Sequence, residues 1–163
     1  FAIIAWLILM ALLFVFFQDT ISKQLNPNQQ LQSSQGSAGE TRTVLIRNKS
    51  GHYVGTALVN NKPIDFMLDT GATTVAIAQA SAEKLGLPFG APIQVSTANG
   101  IANAWRSRID RLQLGDIVLY NIPASIVPGL DNNGAGTEIL LGMSALKQLE
   151  FHQQGNQLTL IQH

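Results

Sequence analysis

The chain has 163 residues, equal numbers of basic and acidic side chains, and no cysteine. Because it carries no net charge, no overall field would draw it to nucleic acid or to an anionic membrane surface. The lack of cysteine excludes disulfides, thiol catalysis and zinc–thiolate sites. The length suits one domain with a short extension.

The first element is an unbroken apolar run from Phe1 to Phe17. Its length is close to that of a membrane-spanning helix, and it has no polar face of the kind found on helices in soluble domains. A cleaved signal peptide is the alternative, but the run ends in Phe16-Phe17-Gln18-Asp19, without a small-residue cleavage site. The sequence therefore favours a single, uncleaved membrane anchor over residues 1–22.

A polar segment follows the apolar run. After one or two further helical turns to about Leu25, residues 23–42 are rich in Gln, Asn and Ser and include Pro27, Gly36 and Gly39. Such a composition offers little to bury and predicts a flexible tether. We expect the folded domain to occupy residues 43–163, held away from the membrane by this linker.

From Val44 onward the pattern is that of β-structure, which predicts a mainly β domain with one or two short helices. Asn60-Asn61 and Asn99-Gly100 are the two-residue turns expected of β-hairpins. Strands are predicted at 44–46, 52–59, 62–68, 74–77, 93–97, 101–109, 117–120, 122–127, 139–142 and 158–161, and helices at 78–85 and 143–149.

The most informative stretch is Asp65-Phe66-Met67-Leu68-Asp69-Thr70-Gly71-Ala72. Its apolar triplet predicts a short buried strand, and Asp69 stands where that strand ends. A carboxylate there is costly unless it is hydrogen-bonded, paired or used in chemistry. Asp-Thr-Gly alone is also ordinary turn composition, in which Gly71 would supply an unusual backbone conformation. A second segment of the same form, Glu138-Ile139-Leu140-Leu141-Gly142, lies downstream.

Together with Thr97-Ala98-Asn99-Gly100, these motifs resemble those of the retropepsin-like (clan AA) aspartic proteases. The similarity covers about residues 44–161 and points to the bacterial, membrane-anchored branch with a single Asp-Thr-Gly-Ala per chain. The resemblance implies the closed β-barrel of the acid-protease fold behind an N-terminal transmembrane helix. It implies a hairpin flap around Asn99-Gly100, and here only one glycine lies near its tip.

The resemblance also implies residue roles. Asp69, Thr70 and Gly71 would form the catalytic loop, with Thr70 hydrogen-bonding across a symmetry axis. Substrate contacts would come from the loop, the flap and the second motif. The residues expected to make them are Ala72, Thr97, Ala98, Asn99, Gly100, Leu141 and Gly142.

Other kinds of site fit the sequence poorly. His52, His152 and His163 show no metal-binding spacing. Ser144 follows Gly142 but lacks the second flanking glycine of a nucleophile elbow. The loop at 131–136 has a single Asp and no bidentate Glu at the spacing of a calcium-binding loop, which argues against calcium. We therefore expect no metal, no cofactor and no nucleic-acid partner.

An aspartic protease needs two carboxylates that share a proton, and this sequence has one Asp-Thr-Gly. The expectation is a homodimer in which Asp69 faces its symmetry mate. By the resemblance, this dimer would cut polypeptides outside the cytoplasm, and each copy would be anchored by one membrane-spanning helix. Residues 158–161 are the predicted dimer seam. Two alternatives stay open: a non-catalytic peptide-binding module of the same fold, and an autoinhibited monomer.

Overall fold

In the computed structural model, residues 1–97, 100–130 and 137–163 are described. They form a long N-terminal helix and a β-domain with two short helices. The helices are α1 (Ala2–Leu25), α2 (Gln79–Leu85) and α3 (Met143–Leu146). The strands are β1 (Gln32–Gln35), β2 (Thr41–Ile46), β3 (Val54–Val59), β4 (Lys62–Leu68), β5 (Val75–Ala78), β6 (Pro92–Thr97), β7 (Gly100–Leu114), β8 (Ile117–Val127), β9 (Ile139–Leu141), β10 (Glu150–Gln154) and β11 (Gln157–Gln162).

The larger sheet has the strand order β3-β4-β9-β5-β8-β7-β6, and β3 also pairs with β7. This extra pairing closes six strands into a barrel and leaves the hairpin arm β6 outside it. The predicted mainly β fold with a closed barrel is therefore confirmed. Strand β4 runs parallel to β9, so the two motifs singled out in the sequence end side by side at the same edge.

The barrel is filled by alternating apolar side chains of its strands. Phe66 on β4, Ile77 on β5 and Ile139 on β9 are among the fully buried ones. The predicted hairpin turn between β3 and β4 is present, with positive φ at both Asn60 and Asn61. The sequence predicts two strands separated at residue 121, but β8 is one strand with the same register to β7 on both sides of Asn121. Asn121 itself has a positive φ of 55° and is a local irregularity in this strand.

The smaller sheet has the order β1-β2-β11-β10. Strand β11, the expected dimer seam, lies between β2 and β10, so both of its hydrogen-bonding edges are already used within the chain. The seam expected at residues 158–161 stays a prediction, and it could not form by pairing of β11 with a second copy. Strands β1 and β10 were not predicted, since Gln32–Gln35 carries no apolar residue and every residue of β10 is exposed.

Residues 26–42 are packed against the domain, where the sequence predicts a flexible tether. Asn26 and Asn28 are buried, and β1 pairs with β2. The side-chain amide of Asn28 donates to the carbonyl oxygens of Ile46 and Val54 (2.8 and 2.6 Å) and accepts from the Ile46 N–H (2.7 Å). Composition did not indicate this because the segment is held by amide hydrogen bonds and not by apolar burial.

Helix α1 is exposed along its length: none of its 24 residues is buried, and its last residue, Leu25, accepts a hydrogen bond from Asn48 of the domain. Among the described residues it is the one helix whose length and apolar composition would allow it to cross a membrane, with a mean hydropathy of 2.3. Its last turns, after Phe17, are polar and continue to Leu25, as the sequence predicts.

Candidate active site

The site begins where β4 ends. The Leu68 N–H donates to the Tyr53 carbonyl (2.9 Å), and the Asp69 N–H donates to the Leu141 carbonyl (3.1 Å). These two bonds hold the strand end between β3 on one side and β9 on the other. Asp69 therefore leaves the barrel at a position fixed by backbone pairing, and its side chain is partly exposed.

The Asp69 carboxylate is held by the loop that follows it. Its Oδ1 accepts the Gly71 N–H at 2.8 Å, and its carbonyl accepts the Ala72 N–H at 3.3 Å. A Cβ on Gly71 would lie 3.1 Å from Oδ1, so glycine allows the amide and the carboxylate to approach. Gly71 does not have the positive φ expected from the sequence, and its role here is this close approach.

The second motif supports the loop from beneath. The Met143 and Ser144 N–H groups donate to the carbonyls of Ala72 and Thr73 at 2.8 and 3.0 Å. Gly142 lies so close that an added Cβ would clash with the Thr74 and Ala72 carbonyl oxygens. The backbone of the loop therefore rests directly on this glycine.

Leu141 and Gly142 are both buried, Leu141 with 0% exposure. The sequence analysis expects both residues to contact substrate. Within the chain they fix the backbone of the catalytic loop, and their contact with substrate stays a prediction.

Ser144 is a supporting residue that the sequence analysis did not identify beyond expecting it in a helix. It is buried, its Oγ donates to the Pro123 carbonyl (2.7 Å) and it accepts the Val75 N–H (2.9 Å). One hydroxyl thus joins α3 to β8 and to the start of β5. The pattern Leu-Gly-Met-Ser is the sequence signal that could have indicated it.

Thr70 lies on the exposed side of the loop. Among the described residues, no hydrogen bond involves its side-chain hydroxyl. Its neighbour Ala72 is partly buried. Thr70 is therefore sterically available to a second molecule, and Ala72 is held by the hydrogen bonds of the loop.

The expected flap is formed by β6 and β7, which pair antiparallel from Pro92↔Trp105 to Thr97↔Gly100. Thr97 ends one arm. Gly100, with φ of 109°, begins the other as the first residue of β7, at a position that the sequence analysis assigns to the turn. Ala98 and Asn99, two of the predicted substrate contacts, lie outside the described residues, as does the polar loop at 131–136 considered for calcium.

Strand β4, which leads to Asp69, carries a second carboxylate, Asp65, and this one is bound differently. Asp65 Oδ1 accepts the Thr56 hydroxyl at 2.6 Å and the Asn26 side-chain amide at 3.3 Å. Because it is occupied within the chain, Asp65 is not a partner for Asp69. In the described part of the chain, no group of three or more His, Asp or Glu side chains is placed to hold a metal ion.

Comparison with known proteins agrees with this geometry. Residues 55–148 match the family model described as "gag-polyprotein putative aspartyl protease". This match spans more than half of the chain. The chain belongs to this family of retropepsin-like aspartic proteases.

A solved retropepsin-like aspartic protease from Rickettsia conorii has the same fold as this retropepsin-like chain. It is 31% identical, with a TM-score of 0.59 over 73% of this chain and 98% of the Rickettsia chain. An uncharacterized Sinorhizobium protein is 36% identical over 120 residues, which is 72% of this chain and 50% of the relative. One from Rickettsia prowazekii is 33% identical over 110 residues, which is 66% of this chain and 45% of the relative. The chain thus spans about half the length of these curated relatives.

Proposed function

We propose that this retropepsin-like chain is a membrane-anchored aspartic endopeptidase that is active as a homodimer. The observation that carries the proposal is the environment of the Asp69 carboxylate. Its carboxylate is partly exposed at the end of a central barrel strand and is positioned by the Gly71 N–H. By contrast, Oδ1 of Asp65 accepts hydrogen bonds from two side chains of the same chain, the Thr56 hydroxyl and the Asn26 amide.

The dimer follows from the chemistry of peptide hydrolysis. One Asp-Thr-Gly per chain supplies one carboxylate, and the reaction needs two that share a proton. Two copies related by a two-fold axis would bring Asp69 to its symmetry mate. The exposed Thr70 hydroxyl of each copy is then available to bond across the axis and to stiffen both loops.

In the assembled site, the unprotonated carboxylate takes a proton from water, and the water oxygen attacks the scissile carbonyl carbon. The protonated carboxylate donates a hydrogen bond to the carbonyl oxygen, on which negative charge develops. Collapse of the tetrahedral intermediate breaks the C–N bond, and the leaving amine takes up a proton. The peptide would lie extended between the catalytic loops and the β6–β7 hairpins.

Anchoring is supported by α1, which is long and apolar enough to span a bilayer. Confinement of two copies to one membrane raises their effective concentration, so a weak dimer could form there. We assign the domain to the outside of the cytoplasm. The test of this assignment is protease protection of the domain in sealed membrane vesicles.

The test of the activity uses the full chain in liposomes with a library of soluble peptides. We expect cleavage whose specific activity falls when the chain is diluted with lipid, because dimers then dissociate. We also expect an excess of the Asp69→Asn variant to suppress wild-type activity, since mixed dimers hold one intact carboxylate. Peptide binding without cleavage at any pH would show a non-catalytic module instead, and activity that survives dilution and mixing would exclude the dimer.

A further inference from the structure

The contacts at the end of α1 determine where the active site lies relative to the membrane. The Asn48 side-chain amide donates to the carbonyl of Leu25, the last residue of the helix, at 2.9 Å. Asn48 belongs to the turn between β2 and β3, in which its backbone N–H donates to the His52 carbonyl and its Oδ1 accepts the His52 N–H. The helix end is therefore joined to this turn.

The residues immediately after the helix add further bonds. Asn26 donates to Thr56 Oγ1 and Asp65 Oδ1, and it accepts the Asn28 N–H at 3.0 Å. Asn28 uses its side chain to join β2 to β3, and its carbonyl accepts the Thr56 N–H. We call residues 26–28 the juxtamembrane latch, because they fix the start of the domain within three residues of the helix.

The latch lies at the same end of the β3–β4 hairpin as the catalytic loop. Tyr53 follows the Asn48–His52 turn directly, and its carbonyl accepts the Leu68 N–H, one residue before Asp69. The opposite end of the hairpin, at Asn60 and Asn61, is about 20 Å further along the strands. Asp69 therefore belongs to the end of the hairpin that contacts α1.

The rise per residue of helices and strands gives the distance of Asp69 from the apolar run of α1. The polar part of α1, from Phe17 to Leu25, rises about 12 Å above the apolar run. The short path from Leu25 through the turn to the end of β4 places Asp69 within about 25 Å of the helix end. A flexible tether of residues 23–42 would have left this distance undefined, whereas the latch fixes it.

From this placement we propose that the substrates are extended segments close to the bilayer surface, within about 40 Å of its apolar layer, in polypeptides that are themselves held at the membrane. This inference rests on the proposed peptidase function and names its substrate class. The latch would exclude segments held further out, because the domain cannot swing away from the helix. Soluble peptides would still reach the site by diffusion.

The experiment uses the full chain in liposomes with model substrates that span the same bilayer once. A sequence that the enzyme cuts as a free peptide is placed on rigid helical spacers of about 20 or 60 Å, at about 1.5 Å per residue. For the wild type we expect the near substrate to be cut at least about tenfold faster than the far one, since only the near one reaches a high effective concentration at the site.

Two variants test whether attachment of the domain to the helix, and not the fold of the domain, sets the preference for near substrates. A 30-residue Gly/Ser insertion between Leu25 and Asn26 leaves the latch on the domain but releases the domain from the helix. We expect the near-to-far ratio to fall below about threefold, with unchanged cleavage of the free peptide. Asn28→Ala should move the ratio in the same direction, and Gln29→Ala, an exposed neighbour, should not.

The outcomes are distinguishable. Equal cleavage of near and far substrates by the wild type, with normal cleavage of the free peptide, would overturn the inference and leave the peptidase activity standing. A near-to-far ratio that the insertion does not change would also overturn it. If no variant cuts even free peptides, the proposed function fails and this inference fails with it.

Discussion

The catalytic loop, residues 69–74, and the juxtamembrane latch, residues 26–28, are both short irregular segments held by hydrogen bonds to neighbouring strands. They differ in how much hydrogen-bonding capacity their polar side chains keep unused. In the latch, both the nitrogen and the oxygen of the Asn28 side-chain amide form hydrogen bonds with backbone groups. In the loop, the backbone is fixed on Gly142 and α3, while the Asp69 carboxylate stays partly exposed and Thr70 is exposed.

The comparison teaches how structural and chemical polar groups differ in one small domain. A buried polar group whose partners are all satisfied stabilises one arrangement of the chain. A carboxylate that is positioned but not saturated can still bind a proton, a water or a second carboxylate. The four predictions below test this distinction, beginning with the largest effect.

Asp69→Asn should reduce peptide cleavage by at least about 100-fold, because the amide cannot act as a general base. The free energy of unfolding should change little, since Asn can still accept the Gly71 N–H. Peptide-cleavage kinetics and urea unfolding measure the two quantities. Asp65→Asn is the matched control on the same strand. It should weaken the bonds to Thr56 and Asn26 and lower stability while cleavage persists.

Gly142→Ala should destabilise the protein by about 1–3 kcal/mol, because the new methyl group meets the carbonyl oxygens of Thr74 and Ala72. Displacement of the loop should also lower the cleavage rate. The midpoint of urea unfolding reports the first effect and kcat the second. Gly155→Ala is the comparison for a backbone effect alone: its φ of 61° strains any side chain, but the methyl group would meet no atom within 4 Å, so stability should fall while kcat stays unchanged. An unchanged midpoint for Gly142→Ala would contradict the tight support of the loop.

Asn28→Ala should cost about 1–3 kcal/mol of stability, because buried backbone groups of Ile46 and Val54 lose their partner. Cleavage of free peptides should persist, since the variant leaves the loop contacts intact. Thermal unfolding and a free-peptide assay check the two parts. A loss of free-peptide cleavage in a folded Asn28→Ala protein would break the distinction between the two segments.

The smallest expected effect is a loss of local stability around Glu40 at low pH. Hydrogen bonds from its own backbone N–H and then from the Arg42 guanidinium (2.6 Å) hold the pKa of Glu40 below its ordinary value of 4.5. Its stabilising contribution is therefore complete above that value and is lost as the pH falls through the lower folded pKa. The Gly36 amide donates to the Glu40 carbonyl, and its protection against exchange, measured relative to an unstructured peptide at the same pH, should fall in acid.

Glu40→Gln tests the source of that effect. In the variant the Gly36 amide should be less protected already at neutral pH and should lose no further protection in acid, because the neutral amide side chain cannot gain a proton. Glu83→Gln on α2 serves as the control, since Glu83 is exposed and far along the chain from the Gly36–Glu40 turn. If the Gly36 amide lost the same protection in acid in the wild type and in Glu40→Gln, Glu40 would not be the group that causes the acid effect.

The sequence by itself determined the strands that carry the chemistry, because alternating or continuous apolar runs have few other ways to be buried. It placed Asp69 at the end of β4 and the second motif on β9, and it located the Asn60-Asn61 turn through residues that tolerate positive φ. The identity of the candidate nucleophile-activating residue also came from sequence, since only Asp69 is followed by Thr-Gly.

Only the tertiary structure decided the docking of residues 26–42, the central place of β11, and the roles of Gly142 and Ser144. Each depends on polar or steric contacts between segments that are distant in the chain, such as Ser144 with Val75 and Pro123. Apolar periodicity reports which side chains are buried, but it carries no information on which backbone groups an amide or a hydroxyl will find. That pairing exists only once the strands are side by side.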